Sequence, residues 1–214
     1  MIVTGSELLG LSQISGGGPL PGIPVDGSGV EAATAALASL TTKGVVDQAG
    51  KLTDFGVLPT MAVQHYREAR KHVVFNELRA SVNRDGALTV LQPAEGGWSL
   101  TRMAAVALMV VLLEAYPFLR GGGPDAEPGP WEVLNAGDWA AGRASGSLLV
   151  TALMSPGRSP QVVALDERAG MGFEYDVSRG RARVTPLWRL RHKVADMVGC
   201  QGSIEKKIGG LVHG

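Results

Sequence analysis

Residues 146–185, GSLLVTALMSPGRSPQVVALDERAGMGFEYDVSRGRARVT, decide the fold of this sequence. Runs of β-prone residues at 146–153, 161–165, 171–177 and 182–185 are separated by turns rich in glycine, serine and proline. Turns this short join neighbouring antiparallel strands. We therefore expect a β-meander in the second part of the chain.

A similar strand pattern lies earlier in the chain. Residues 72–78 begin with a β-prone run, and residues 87–91 follow a turn at 81–86 that contains an Asp-Gly step. An Asp-Gly step between two apolar runs is typical of a hairpin, so we expect these two strands to pair. Residues 98–100 predict a short third strand, and a long apolar helix is expected over about 101–116.

Helices are expected ahead of the first strands and after the last strand. Residues 30–40, VEAATAALASL, are alanine-rich, and Ser28 is a candidate N-cap for that helix. Thr53 or Asp54 can start a further helix. Its residues at helical three- and four-residue spacing are Leu58, Met61, Ala62 and His65. A closing helix is expected over residues 187–197.

The order of these elements divides the chain near its middle. A glycine- and proline-rich stretch at 121–130 separates an N-terminal half, 1–120, from a C-terminal half, 121–214. Each half reads as helix, β-meander and closing helix, and we expect the two to form one compact α+β domain. The pattern indicates an internal duplication with pseudo-two-fold symmetry, or two unrelated α+β stretches.

Composition excludes several classes of protein. The 20 basic and 20 acidic residues balance, whereas nucleic-acid-binding domains carry a basic excess. Cys200 is the single cysteine, so no internal disulfide forms, which favours the cytoplasm. The longest apolar run, 103–113, is shorter than the roughly 20 residues that cross a bilayer, so membrane insertion is not expected.

Motifs for catalysis are sparse. The sequence has neither a Gly-x-Ser-x-Gly nucleophile elbow nor a P-loop, and His65 and His72 lack a third metal ligand. We therefore expect no enzyme activity, metal or cofactor. Glu174 and Asp176 alternate with aromatic residues, which predicts two solvated positions on a strand. These two carboxylates leave open the alternative of a small-ligand enzyme.

Three stretches together resemble the EspG family of type VII (ESX) secretion chaperones. They are the Gly-Pro-Leu-Pro step at 18–21, the segment LASLTTKGVVDQAGKL at 37–52, and the closing meander at 159–186 with its Val-Thr-Pro step into the last helix. The resemblance extends from about residue 5 to residue 199, although known members of the family are longer.

The resemblance implies a central, strongly twisted antiparallel sheet flanked by two helical bundles. It also implies a cytosolic chaperone that binds PE–PPE-like protein pairs at the PPE tip and keeps them soluble for export. By analogy with the family, the partner-binding residues are expected on the first meander's loops and sheet face. They are Val82, Asn83, Arg84, Asp85, Gln92, Glu95 and Trp98.

Two further hypotheses about partners stay open. The same fold could serve an interaction or regulatory protein that has no secretion client. A homodimer is a further partner arrangement that the sequence allows.

Overall fold

The structure is a computed structural model. It describes residues 1–25, 30–83, 85–122, 126–135, 137, 139–140, 148–155 and 158–200. The chain forms two compact units. The first contains residues 1–72 and 77–103, and the second contains residues 73–76 and the described residues from 104 onward.

The first unit begins with a short strand and three helices, β1 (Ile2–Val3), α1 (Gly5–Ile14), α2 (Val30–Thr42) and α3 (Asp54–Glu68). The predicted helix at 30–40 is confirmed, while its candidate cap Ser28 lies outside the described residues. Thr53 is the N-cap of α3, as predicted, and its hydroxyl accepts a hydrogen bond from the Gly56 N–H at 3.1 Å.

Strands β2 (Lys71–Phe75), β3 (Leu78–Val82), β4 (Ala87–Ala94) and β5 (Gly97–Ala104) follow α3. In the first unit the strand order is β1-β5-β4-β3, with β1 antiparallel to β5 and β3 antiparallel to β4. The boundary between the two units falls inside β2, after His72.

The predicted pairing of residues 72–78 with 87–91 was wrong. The chain turns at Asn76, which has a φ of 50°, and the strand that pairs with β4 begins only at Leu78. Asparagine tolerates this left-handed conformation better than most residues, so the turn needs no glycine. β3 extends to Val82 and β4 begins at Ala87, so the turn between them is shorter than the expected turn at 81–86.

The core of the first unit lies between its helices and its sheet. Its buried residues come from β1, α1, α2, α3, β4 and the connecting loops: Val3, Leu8, Leu11, Leu20, Ile23, Leu40, Val45, Val46, Val63, Tyr66 and Leu91. Gly56 lets α3 approach closely, because a Cβ at this position would lie 2.0 Å from the Val45 carbonyl oxygen. The start of α3 is thus held against the loop that precedes it.

The second unit contains α4, the second meander and the last helix. Its elements are α4 (Ala105–Ala115), β6 (Glu132–Val133), β7 (Leu149–Met154), β8 (Gln161–Arg168), β9 (Met171–Asp176), β10 (Arg181–Thr185) and α5 (Leu187–Val198). The strand order is β2-β7-β8-β9-β10-β6. The predicted meander is confirmed, with Ala164 opposite Tyr175 and Tyr175 opposite Ala182.

The protein therefore has an α+β fold with a large antiparallel sheet, as the sequence predicted. The apolar helix expected over 101–116 starts only at Ala105, because residues 101–104 belong to β5. The halves 1–120 and 121–214 stay a prediction about the organisation of the chain, and the compact units have different limits. Among the described residues, every helix is too short or too polar to span a bilayer.

Candidate functional site: an apolar stripe on α3 and the adjacent cleft

One face of α3 exposes large apolar side chains. Phe55 is 63% exposed, Leu58 is 75% exposed and Met61 is 43% exposed. The three residues are spaced by three positions, so they lie along one side of the helix. We call Phe55, Leu58 and Met61 the α3 stripe. Single exposed apolar residues are common on protein surfaces, but an aligned set on a helix indicates a contact surface.

The opposite face of α3 fixes the helix to the first unit. Gly56, Thr60, Val63 and Tyr66 are all buried. The hydroxyl of Tyr66 donates a hydrogen bond to the Pro21 carbonyl at 2.9 Å. The α3 stripe is therefore presented by a helix whose other side is packed and hydrogen-bonded.

The exposure of the α3 stripe was not predicted from the sequence. Apolar residues at helical spacing, such as Leu58 and Met61, ordinarily face the core. In the structure the buried face instead carries Gly56, Thr60, Val63 and Tyr66. At Gly56 the preceding loop approaches too closely for any side chain. The spacing of Leu58 and Met61 is the sequence signal for this exposed face, because a second apolar face on a helix predicts a second contact surface.

Tyr66 also contacts a buried histidine. The ring of His72 lies 4.9 Å from that of Tyr66, and His72 Nε2 is 2.7 Å from the Tyr66 carbonyl oxygen. Since a carbonyl only accepts, we assign the proton of the neutral ring to Nε2. Burial lowers the pKa of His72 below its ordinary value of 6.5, although the bond to the carbonyl opposes part of this shift.

His72 predicts a loss of stability in mild acid. In the unfolded chain the His72 ring takes up a proton near pH 6.5, whereas in the folded chain it resists protonation at that pH. The contribution of the neutral ring to the free energy of unfolding is therefore complete above that pH and decreases below it. We therefore expect the free energy of unfolding to decrease between about pH 6.5 and about pH 5.5 because of this group. Urea unfolding of the wild type and of His72→Phe at both pH values checks this. An equal pH dependence in the two proteins would contradict it.

A cleft of about 340 Å³ lies at the C-terminal end of α3. It is lined by His65, Glu68, Ala69, Asn83 and Asp85. His65 and Glu68 continue the line of Leu58 and Met61, because the spacings between these four residues are three, four and three. The α3 stripe therefore leads along the helix into the cleft over roughly 15 Å, at about 1.5 Å per residue.

Both carboxylates of the cleft are held ionised. A hydrogen bond from the Gln64 side chain lowers the pKa of Glu68, with a further contribution from Arg67. The Ala87 N–H bonds the Asp85 carboxylate at 3.0 Å and lowers its pKa, and Arg102 forms an ion pair with the same group. Asp85 thus links the β3–β4 turn to β5.

The structure divides the predicted partner-binding residues into two groups. Val82, Asn83 and Asp85 lie at the β3–β4 turn, and Arg84 falls outside the described residues. Gln92, Glu95 and Trp98 lie towards the other end of β4, which is roughly 24 Å long at about 3.4 Å per residue. Asn83 and Asp85 line the cleft, whereas Trp98 stacks under Arg79 at 4.5 Å. The predicted contact role of these residues stays a prediction.

The two candidate catalytic carboxylates have structural partners. Glu174 is 2% exposed, not solvated as expected, because α5 packs against β9. Its carboxylate accepts hydrogen bonds from Arg183 at 2.7 and 2.9 Å and pairs with Lys193. Asp176 pairs with Arg181 at 3.1 Å. Each of the two carboxylates therefore takes part in ion pairs with basic side chains of the second unit.

The sequence matches the model of one protein family. Residues 2–128, more than half of the chain, match the family model described as domain of unknown function (DUF5081). The chain belongs to this family. The α3 stripe and the cleft lie within the matched part of this DUF5081 protein.

No curated protein matches the sequence. Among solved structures, the DUF5081 protein is similar to the Mycobacterium tuberculosis type VII secretion system chaperone EspG5, solved in complex with a PE25–PPE41 dimer. The sequence identity is 10%, the TM-score is 0.48, and the alignment covers 94% of each chain.

Proposed function

We propose that this DUF5081 protein is a non-enzymatic adaptor that binds another protein through the α3 stripe and the adjacent cleft. The observation that carries the proposal is the exposure of Leu58 and Phe55 at helical spacing on a helix whose other face is packed. Covering such a stripe removes apolar area from water at roughly 25 cal/mol per Å². A partner protein with an apolar surface gains this energy on docking.

The geometry favours a protein partner. The exposed apolar residues lie along a convex helix, and a contact surface of this kind fits the groove or helix of another protein. The cleft beside it adds polar groups from His65, Asn83 and Asp85, which can fix the orientation of the partner. An apolar centre with a polar rim is the usual anatomy of a protein interface.

The more specific part of the proposal concerns the client. The motif resemblance at 18–21, 37–52 and 159–186 supports a cytosolic chaperone for PE–PPE-like pairs, which covers an apolar PPE tip before export. The pseudo-two-fold arrangement with two flanking helical bundles belongs to the same proposal. A client with an exposed apolar end needs a partner that covers it, and this role requires no nucleophile.

A binding experiment tests the proposal. A recombinant PE–PPE pair from the source genome is titrated with the wild-type chain and with Leu58→Asp, and the dissociation constants are measured by calorimetry. Leu58→Asp places a charge in the stripe and should weaken binding at least about tenfold, since burying an unpaired charge is costly. Leu58 is 75% exposed, so the variant should fold normally.

Val133→Asp is the matched control. Val133 is 90% exposed and lies in β6, outside the stripe, so this variant should bind as the wild type does. Equal binding by wild type and Leu58→Asp would reject the α3 stripe as the contact surface. A wild-type chain that fails to bind any PE–PPE pair from its own genome would reject the secretion client.

A further inference from the structure

The exposed side of α3 has the residue spacing of a coiled-coil seam. Its members recur at intervals of four, three, four and three residues, which keeps them on one line along the helix. They are Asp54, Leu58, Met61, His65 and Glu68. We call this set the α3 seam. Residues at this spacing accept the apolar side chains of a second helix, which fit between the side chains of successive turns.

A carboxylate lies at each end of the α3 seam. Asp54 is at its start and Glu68 is at its end, about 21 Å apart at about 1.5 Å per residue, and both are exposed. The hydrogen bonds that Glu68 accepts from Gln64 and Arg67 both reach its Oε1 atom. Within the described chain, Oε2 of Glu68 therefore remains open to a cation of a partner.

The arginine of α3 binds the end of α1. Arg67 donates hydrogen bonds to the Ser12 carbonyl at 3.0 Å and to the Ser15 hydroxyl at 3.0 Å, and its side chain is 19% exposed. Its charge is therefore held largely against another helix. The exposed side of α3 presents an apolar centre with an acidic residue at each end, and a partner of complementary charge has a basic residue at each end of its apolar face.

These charges disfavour a second copy of this chain as the occupant. Two α3 helices packed antiparallel would place Asp54 of one copy beside Glu68 of the other. Packed parallel, each carboxylate would meet the same carboxylate of the other copy. Like charges across an interface are costly, so a helix with basic ends is the better match.

We propose that the α3 seam binds an amphipathic helix of a partner protein, with an apolar face two heptads long and a lysine or arginine at each end of that face. This inference rests on the proposed function and adds the secondary structure and the charge of the bound segment. The two carboxylates are about 21 Å apart, so the partner's basic residues are about 14 positions apart on its helix. The apolar contacts supply affinity, and the charges supply selectivity.

Two synthetic peptides test the charge of the partner. Each has 18 residues of alanine and glutamine with leucine at positions 6, 9 and 13, and carries either lysine or glutamate at both positions 2 and 16. The lysine peptide should bind the wild-type chain at least about tenfold more tightly at low salt, and high salt should reduce the difference. Fluorescence anisotropy of the labelled peptides measures both dissociation constants. Equal affinities, or failure of both peptides to bind, would overturn the proposal.

A charge-reversed chain is the matched variant. Asp54→Lys combined with Glu68→Lys should prefer the glutamate peptide by about tenfold, because both ends of the α3 seam then attract the opposite charge. Both positions are exposed, so the variant should fold, and circular dichroism checks this. Glu114→Lys, at an exposed position of α4, is the control and should keep the wild-type preference. A folded charge-reversed chain that still prefers the lysine peptide would contradict the proposal.

This inference and the proposed function fail in different ways. If Leu58→Asp abolishes binding of a PE–PPE pair while the charge-reversed chain binds that pair normally, the inference is wrong and the proposed function stands. If the lysine peptide binds selectively and no PE–PPE pair binds, the secretion client is wrong and the inference stands. A wild-type dimer in sedimentation experiments that Leu58→Asp abolishes would also reject the inference, because a second copy would then cover the α3 seam.

Discussion

Tyr66→Ala is expected to destabilise the first unit by about 4 kcal/mol, in the range of large aromatic truncations in cores. Tyr66 is fully buried at the centre of the unit, where its ring contacts His72 and its hydroxyl bonds the Pro21 carbonyl. The truncation leaves a cavity and an unsatisfied carbonyl, and both add to the lost burial. Urea unfolding followed by circular dichroism measures the change in the free energy of unfolding.

Tyr66→Phe separates the two contributions. It keeps the ring and removes only the hydroxyl, so we expect a loss of about 1 kcal/mol, the usual net value of one hydrogen bond. Burial raises the pKa of Tyr66, so the hydroxyl stays protonated and remains a donor at neutral pH. If Tyr66→Phe cost as much as Tyr66→Ala, the ring would not be the packing centre that the structure indicates.

The strands show how far the sequence predicts this fold. The second meander was predictable because its turns are short and carry glycine or serine at the tip, as at Gly170 and Gly180. The first hairpin was not, because Asn76 makes the reversal and the residues after it look like a turn. The left-handed turn at Asn76 changes which strand pairs with β4, and composition alone does not mark it.

The site was harder to predict than the fold. The sequence places Leu58 and Met61 on an apolar helix face, but it does not say whether that face is inside or outside. Which face of α3 is buried depends on the close approach of Val45 to Gly56, a tertiary contact that no local sequence pattern indicates. The face that carries Gly56 and Tyr66 packs against the first unit, so Leu58 and Met61 on the other side are left in solvent.

A buried carboxylate joins the start of the chain to α2. Glu7 is 1% exposed and forms a capping box with Thr4, whose N–H bonds the carboxylate at 2.7 Å. Ser39 donates to the other oxygen at 2.5 Å, and Lys43 forms an ion pair at 2.7 Å. Lys43 also donates to the Ile2 carbonyl at 3.0 Å. Glu7 therefore holds β1, α1 and α2 together.

Glu7→Ala is expected to destabilise the first unit by about 3 kcal/mol. Removing one partner of a buried pair leaves the others without their acceptor, and the loss is typically about 3–5 kcal/mol. We expect the lower end because Lys43 is 35% exposed and can be solvated again. Glu68→Ala is the matched control, since Glu68 is 54% exposed and lies at the surface. Its unfolding free energy should change by less than about 0.5 kcal/mol.

The pH dependence of the free energy of unfolding distinguishes the effect of the charge of Glu7 from the effect of its side-chain shape. Burial by itself would raise the pKa of Glu7, but the hydrogen bonds from Lys43, Ser39 and Thr4 outweigh it and lower the pKa below the ordinary value of 4.5. The unfolded chain therefore takes up a proton first, so the stabilisation is complete above about pH 4.5 and is lost as the pH falls below it. Glu7→Gln keeps the shape and should remove this acid dependence while costing less than Glu7→Ala. A Glu7→Gln variant that loses stability below pH 4.5 as steeply as the wild type would show that the charge of Glu7 does not hold these elements together.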